Sequence, residues 1–281
     1  VLTVSKAIQS YLAELNLAGR SDRTVCLHKW LLYTWAKGIE DHPIESITRV
    51  NVTTYLGDMA ERGLSQSYIA TTGKTIRRLF NWAVEQGILE VSPLEHMKIA
   101  RGPDKPIAPF TDDECRRLIA AADTPLKRFC VLLLMDTGIR SSELCSLRLQ
   151  DIDLANSEIT VVKGKGGKGR KVALNERPRR ALLEYLTSRA QQDGLLWPKT
   201  FDRVKVWKLI DKIARDAHVC CAHPHRLRHN WAVRMRRAGV DASDIQLLLG
   251  HSSLKMTMRY VAYCQQEVSV DVHKLHCIIP M

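Results

Sequence analysis

Four of the chain's ten prolines fall between Pro93 and Pro109, in a stretch with little apolar periodicity. Proline removes a backbone donor, fixes φ and pushes the residue before it toward extended conformations, so neither a helix nor a paired strand runs comfortably through such a segment. Regular patterning resumes on both sides of it. The chain is therefore expected to fold as two domains, residues 1–100 and 110–281, joined by a linker over 101–109. Its 281 residues suffice for each domain to bury a core.

Before the linker the pattern is helical. Ala7, Ile8, Tyr11, Leu12 and Leu15 recur at helical spacing, and further helices are predicted over 24–37, 50–62 and 67–86, with Ile69, Ile76, Leu79, Phe80 and Ala83 on one face. Gly19, Gly38, Gly63 and Gly87 follow where each helix would stop. A four-helix unit is expected. After the linker, Thr111 and Glu114 have the spacing of a capping box and open the second domain. Residues 158–163 and 170–174 are short β-branched or alternating runs around Gly164-Lys-Gly-Gly-Lys-Gly169, a predicted hairpin with a basic tip. Helices are predicted over 176–191, 201–218, 225–238, 243–249 and 254–263. The expected fold class is mainly α with a small β-sheet (α+β): an N-terminal helical bundle and a mixed second domain.

Lys and Arg outnumber Asp and Glu by 42 to 30, and the isoelectric point near 9.4 points to a polyanionic partner, nucleic acid before membrane. No apolar run approaches a membrane span, and the first residues lack the blocks of a signal peptide, so a cytoplasmic, DNA-accessible location is expected. The eight cysteines show no repeated spacing, which suits reduced thiols.

Five elements carry chemistry: Thr137-Gly-Ile-Arg-Ser-Ser-Glu-Leu144, the hairpin lysines, His225-Arg-Leu-Arg-His229, Leu248-Leu-Gly-His251, and Tyr260 nine residues beyond that histidine. Singly each is weak. In this order, behind a helical domain, they resemble the tyrosine recombinases, Xer-type and phage integrases included, across nearly the whole chain. The resemblance implies that Arg140, Lys165, His225, Arg228, His251 and Tyr260 are the catalytic set, with Tyr260 the nucleophile, and that Glu143 supports Arg140. Residues 1–100 would be the core-binding domain and 110–281 the catalytic domain with a C-terminal tail.

These residue types suit that chemistry. A phosphodiester gains charge on its non-bridging oxygens during attack, which planar guanidinium groups match with paired hydrogen bonds. A phenol with a pKa of about 10 needs a base, for which His225 is the candidate, and the departing 5′ oxygen needs a proton. Lys165 best matches the family hairpin as its donor, although Lys163, Lys168 and Arg170 share the loop. His251, emerging after Gly250, is placed to donate to a phosphate oxygen. No metal, ATP or other cofactor is expected, because a phosphotyrosyl ester keeps the energy of the broken bond.

Competing readings are blander. Tyr260 could be an ordinary tyrosine at a core edge, and Arg140 with Glu143 a surface ion pair on a helix. His225 and His229 have a zinc-compatible spacing near Cys220, Cys221 and His223, but the adjacent cysteines lack a C-x-x-C form. The glycine-rich loop is no Walker motif, since no Gly-Lys-Ser/Thr follows. His28, Lys29, Arg62, Lys74, Arg77 and Arg78 either track a phosphate backbone or face water.

The resemblance further implies double-stranded DNA with paired recognition sites as partner, a homo-tetramer on that DNA, strand exchange through a Holliday junction, no membrane, and room for an accessory DNA-bending protein. An apolar terminal segment carrying Val268, Val272, Leu275 and Ile278 is expected to pass to a neighbouring protomer. A type IB topoisomerase or telomere resolvase would share the chemistry, a non-catalytic DNA-binding regulator the fold, and a transposase of the same family the motifs.

Overall fold

The computed structural model describes residues 1–39, 41–100, 102, 108–163, 167–189, 195–251, 253, 254, 256–258, 260, 263 and 264. Lys165 and the terminal segment over 265–281 lie outside the described residues. The chain divides into two compact units, Val1–Lys105 and Pro106–Met281, the division falling inside the proline-dense stretch.

In the first unit, α1 (Val4–Leu17), α2 (Asp22–Ala36), α3 (Arg49–Glu61) and α4 (Gln66–Glu85) enclose one core. Helix starts are set by side-chain caps: Thr3, Ser21, Thr48 and Ser65 each accept from an amide three residues on. Those caps move α2, α3 and α4 one or two residues earlier than apolar spacing suggests. The interior is built on Ile8, Leu32, Trp35, Ile76, Leu79 and Phe80, all fully buried. Burial of one such aliphatic side chain contributes about 2 kcal/mol.

The second unit is organised around α6 (Pro125–Thr137), where every residue from Phe129 to Met135 is buried, so that this helix is apolar all round. Helices α5 (Asp112–Ala120), α8 (Glu176–Ser188), α9 (Arg203–Asp216) and α10 (Pro224–Arg237) pack on it. The expected capping box is present: Thr111 and Glu114 exchange backbone-to-side-chain bonds of 2.8 and 3.1 Å. Helix α8 ends at Ser188, short of the predicted 191, and α9 starts at Arg203 because Asp202 caps it. Short helices α7 (Ser141–Ser146) and α11 (Ala242–Leu249) complete the framework.

The sheet has three antiparallel strands in the order β1 (Ile152–Asp153), β2 (Glu158–Lys163), β3 (Gly167–Ala173). β3 begins three residues earlier than predicted, absorbing the later glycines, and β1 is a strand the sequence reading lacked. Ile159 pairs with Val172 and Val161 with Arg170, and the register then slips before Lys163 meets Gly167. Because side chains alternate along a strand, Arg170 shares a face with the buried Val172. That face looks into the unit.

Candidate active site

Helix α6 stops at Gly138, which takes φ +64°, and an added Cβ there would lie 2.7 Å from the Trp231 ring. The turn delivers Arg140 to the N-cap of α7 rather than onto the helix itself. Glu143, three residues on, accepts the Arg140 amide at 2.8 Å and the Arg140 Nη1 at 2.8 Å. Its carboxylate also receives Arg170 from β3, Nη1 at 2.9 Å and Nη2 at 2.8 Å. The Glu143 side chain is only 11% exposed, so this is no surface ion pair. Burial opposes its ionisation, but hydrogen bonds from Arg170 and the Arg140 amide override that and hold the carboxyl at about 2.

The arginines converge on the C-terminal end of α11. Arg170 Nε donates to the Leu248 carbonyl at 2.6 Å, Arg228 Nη2 to Leu249 at 2.8 Å and Arg140 Nη2 to Gly250 at 2.8 Å. Three successive carbonyls that the helix itself leaves without partners are thus each taken by a guanidinium, at the end where the helix dipole favours positive charge. Arg228 is 2% exposed and also donates to the Gly138 carbonyl at 2.7 Å, tying the end of α6 to the end of α11. Its burial, and then the nearby Arg140 charge, push its pKa down to about 10, which still leaves it protonated at neutral pH.

His251 follows directly, 8% exposed, with Nδ1 2.9 Å from the Thr257 hydroxyl. Burial, followed by the charges of Arg228 and Arg140, lowers its pKa to about 4, so the imidazole is neutral near pH 7. A Thr257 hydroxyl that donates to Nδ1 leaves a proton on Nε2 free to donate outward. Tyr260, in the helical stretch that follows, is 5% exposed and joins Trp231, Ala232, Val233, Ile245 and Leu249 in a small cluster. Its ring centroid lies 6.2 Å from that of His251 and 5.1 Å from that of His229.

His225 sits in the first turn of α10, exposed, its ring stacked 6.4 Å from that of His223. His223 caps the helix, and its pKa is lowered by burial and then by the charges of His225 and Arg226. Five of the six catalytic candidates, Arg140, His225, Arg228, His251 and Tyr260, therefore belong to described parts of the second unit. The charges of Arg140, Arg228 and His225 all act on His251. Arg170, Thr257 and His229 were not assigned catalytic roles from sequence: Arg170 figured only as a neighbour of Lys165 in the hairpin and His229 only as the end of its motif and a zinc-compatible partner of His225, while Thr257 left no trace. Among the described residues, no group of three or more His, Cys, Asp or Glu is placed to hold a metal ion, and no helix is long and apolar enough to cross a membrane.

Three guanidinium groups against one carboxylate leave an excess of positive charge and unused N–H donors, an arrangement suited to an anionic phosphodiester. Comparison with known proteins decides the matter. The model of the phage integrase family matches residues 109–267, more than half of the chain, and spans the arginines, both histidines and Tyr260. The chain belongs to the phage integrase family. Along 98% of its length the chain is 27% identical to tyrosine recombinase XerA of Pyrococcus furiosus, covering 95% of that protein. The Tn1549 transposon integrase, solved with a circular intermediate DNA, superposes with a TM-score of 0.77 at 20% identity over 92% of this chain and 95% of that one. A lambda integrase tetramer bound to a Holliday junction gives 0.76 at 18% identity, over 90% and 78%. The mostly helical fold with its small sheet is that of these enzymes. The family cleaves and rejoins DNA, so this protein is a site-specific DNA recombinase, and the topoisomerase, resolvase and regulator readings are not favoured.

Proposed function

We propose that Tyr260 is the nucleophile of this recombinase and that Arg140, Arg228 and His251 hold the phosphate it attacks. The observation that carries this reading is the convergence of three arginines on the last carbonyls of α11 beside the Tyr260 ring. Each guanidinium has five N–H donors, of which Arg140 and Arg228 each commit two to the protein, leaving donors for the non-bridging oxygens. A preorganised donor of this kind contributes about 3 kcal/mol to the transition state.

In the proposed step the phenolic oxygen attacks phosphorus, His225 takes the phenolic proton, and the bond to the 5′ oxygen breaks as Lys165 supplies a proton. The product is a 3′-phosphotyrosyl ester and a free 5′ hydroxyl. Attack by a 5′ hydroxyl from the partner duplex reverses the step and joins new ends, giving a Holliday junction after one round and recombinants after a second. Bond energy is conserved in the ester, so the reaction runs without ATP or metal. Tyr260 and Arg228 are both buried, so the Tyr260 stretch must shift to bring the phenol to DNA and to uncover the remaining Arg228 donors. Double-stranded DNA with paired sites is the proposed substrate and a homo-tetramer the proposed assembly, supported by the lambda integrase tetramer on a Holliday junction. An accessory DNA-bending protein is compatible with it, and the cytoplasm is the compartment it suits.

Incubation with fragmented DNA in EDTA, without nucleotide, followed by detergent and sequencing of retained DNA, tests the proposal. Wild-type protein should retain a defined sequence and Tyr260→Phe none. Retention by both proteins, or cleavage only on adding a divalent metal, would overturn it.

A further inference from the structure

Glu143 is saturated. Its Oε1 accepts Arg140 Nη1 and Arg170 Nη1, and its Oε2 accepts the Arg140 amide and Arg170 Nη2, which fills about all four lone-pair directions of a carboxylate. The two arginines it joins differ in one respect. The Arg140 side chain is 34% exposed and the Arg170 side chain 14%, so the first is open to a ligand and the second is packed inside. Arg170 lies against Gly250, where an added Cβ would meet its Nη1 at 3.0 Å, and its third contact is the Leu248 carbonyl.

From this geometry we infer that Arg170 is a positioning residue: it clasps the base of the β2–β3 hairpin to Glu143 and to the end of α11, and so orients Arg140 and the turn bearing His251. The inference rests on the proposed role of that site in phosphate binding. Arg170 leaves β3 opposite Val161, just before the ladder slips, so it pins the hairpin where regular pairing ends. Without its fork, Glu143 keeps partners on one side only and is free to rotate, carrying Arg140 with it. A misplacement of about 1 Å at a reacting group costs on the order of a hundredfold in rate.

The test compares Arg170→Gln, Arg170→Lys, Glu143→Gln and the Arg170→Gln/Glu143→Gln double variant in the full chain, using random-sequence duplexes carrying a nick as the probe. Covalent-adduct formation is expected to slow about ten- to a hundredfold in each single glutamine variant, with little change in noncovalent retention of the duplex. The double variant should be no slower than the worse single one, because both act through one contact. Arg170→Lys, lacking the fork, should restore only part of the rate. Multiplying defects in the double variant, or an unchanged rate in Arg170→Gln, would overturn the inference. Hydrogen exchange supplies a readout independent of chemistry. Arg170→Gln should speed exchange in 141–146 and 248–251 as well as in β3, whereas loosening of β3 alone would count against the clasp. If wild-type protein forms no adduct on any duplex, the reading of Tyr260 fails, and the exchange pattern still judges the clasp.

Discussion

The guanidinium of Arg140 and the carbonyl of Gly250 stand 2.8 Å apart although 110 residues separate them in sequence. That contact joins the Thr-Gly-Ile-Arg and Leu-Gly-His segments into one surface. It depends on Gly250 adopting φ +64°, which lets α11 end in a left-handed turn with its last carbonyls aimed at the arginines.

Gly250→Ala should therefore be costly out of proportion to one methyl group. The left-handed conformation costs a non-glycine residue about 1–2 kcal/mol, and the Cβ would crowd Arg170 at 3.0 Å. Thermal unfolding should shift downward accordingly, and adduct formation should slow further as the carbonyls turn away. Unchanged melting and activity would contradict this account of the turn.

The two arginines of the proposed phosphate site should separate in their effects. Arg228 is nearly inaccessible and satisfies the Gly138 and Leu249 carbonyls, so Arg228→Ala should cost about 3 kcal/mol of stability as well as activity. Arg140 is a third exposed, so Arg140→Ala should unfold at a temperature close to wild type while losing activity about a hundred- to a thousandfold. Paired calorimetry and adduct kinetics would distinguish them, and equal destabilisation by both would be contrary to the burial difference.

Acid should act in two stages. The pKa of His251 is lowered from 6.5 to about 4, so its contribution to stability is full above pH 6.5 and is lost as pH falls toward 4, where only the unfolded chain readily takes the proton. Glu143, lowered from 4.5 to about 2, contributes fully above pH 4.5 and loses that contribution as pH falls through 2. Each shift corresponds to at most about 3 kcal/mol. Denaturant titrations from pH 8 to 3 should show a decline beginning near 6.5 that His251→Gln makes shallower, the remainder coming from His28 and His223, whose pKa values burial also lowers; a decline untouched by that substitution would place its origin elsewhere.

Asn230 should prove structural. It is fully buried on α10 and its Oδ1 accepts the Phe110 amide at 3.0 Å, anchoring the segment that leads into α5. Asn230→Ala leaves that amide unsatisfied and should lower stability by about 1–3 kcal/mol. A melting temperature within error of wild type would contradict this.

What the sequence makes legible is what is local. The Thr111–Glu114 capping box, the amphipathic faces of α1 and α4 and the motif residues around Arg140, Arg228 and His251 are each specified by neighbours in the chain. Glu143 is assigned to Arg140 through the family resemblance, its three-residue spacing alone suggesting no more than a surface ion pair. Arg170 could not be assigned, because its role depends on which face of β3 it occupies and on a register that ends in a slip beyond Val161. The full burial of Tyr260 was equally illegible, since it arises in a cluster with Trp231, Ala232 and Val233 of α10, well before it in sequence. Helix starts at Asp22 and Arg203 were missed for a simpler reason: Ser21 and Asp202 cap them, and caps outrank apolar spacing at a helix end.

Tyr260, and no other residue, is proposed to carry the DNA. Tyr263 provides an internal control, since its ring lies 6.3 Å from that of His229 against 5.1 Å for Tyr260. The most direct measurement is mass spectrometry of the protease-digested covalent adduct after nuclease trimming. A nucleotide joined through its 3′ phosphate to the Tyr260 phenol is expected. A nucleotide on Tyr263 or on any other side chain, or linkage through a 5′ phosphate, would contradict it.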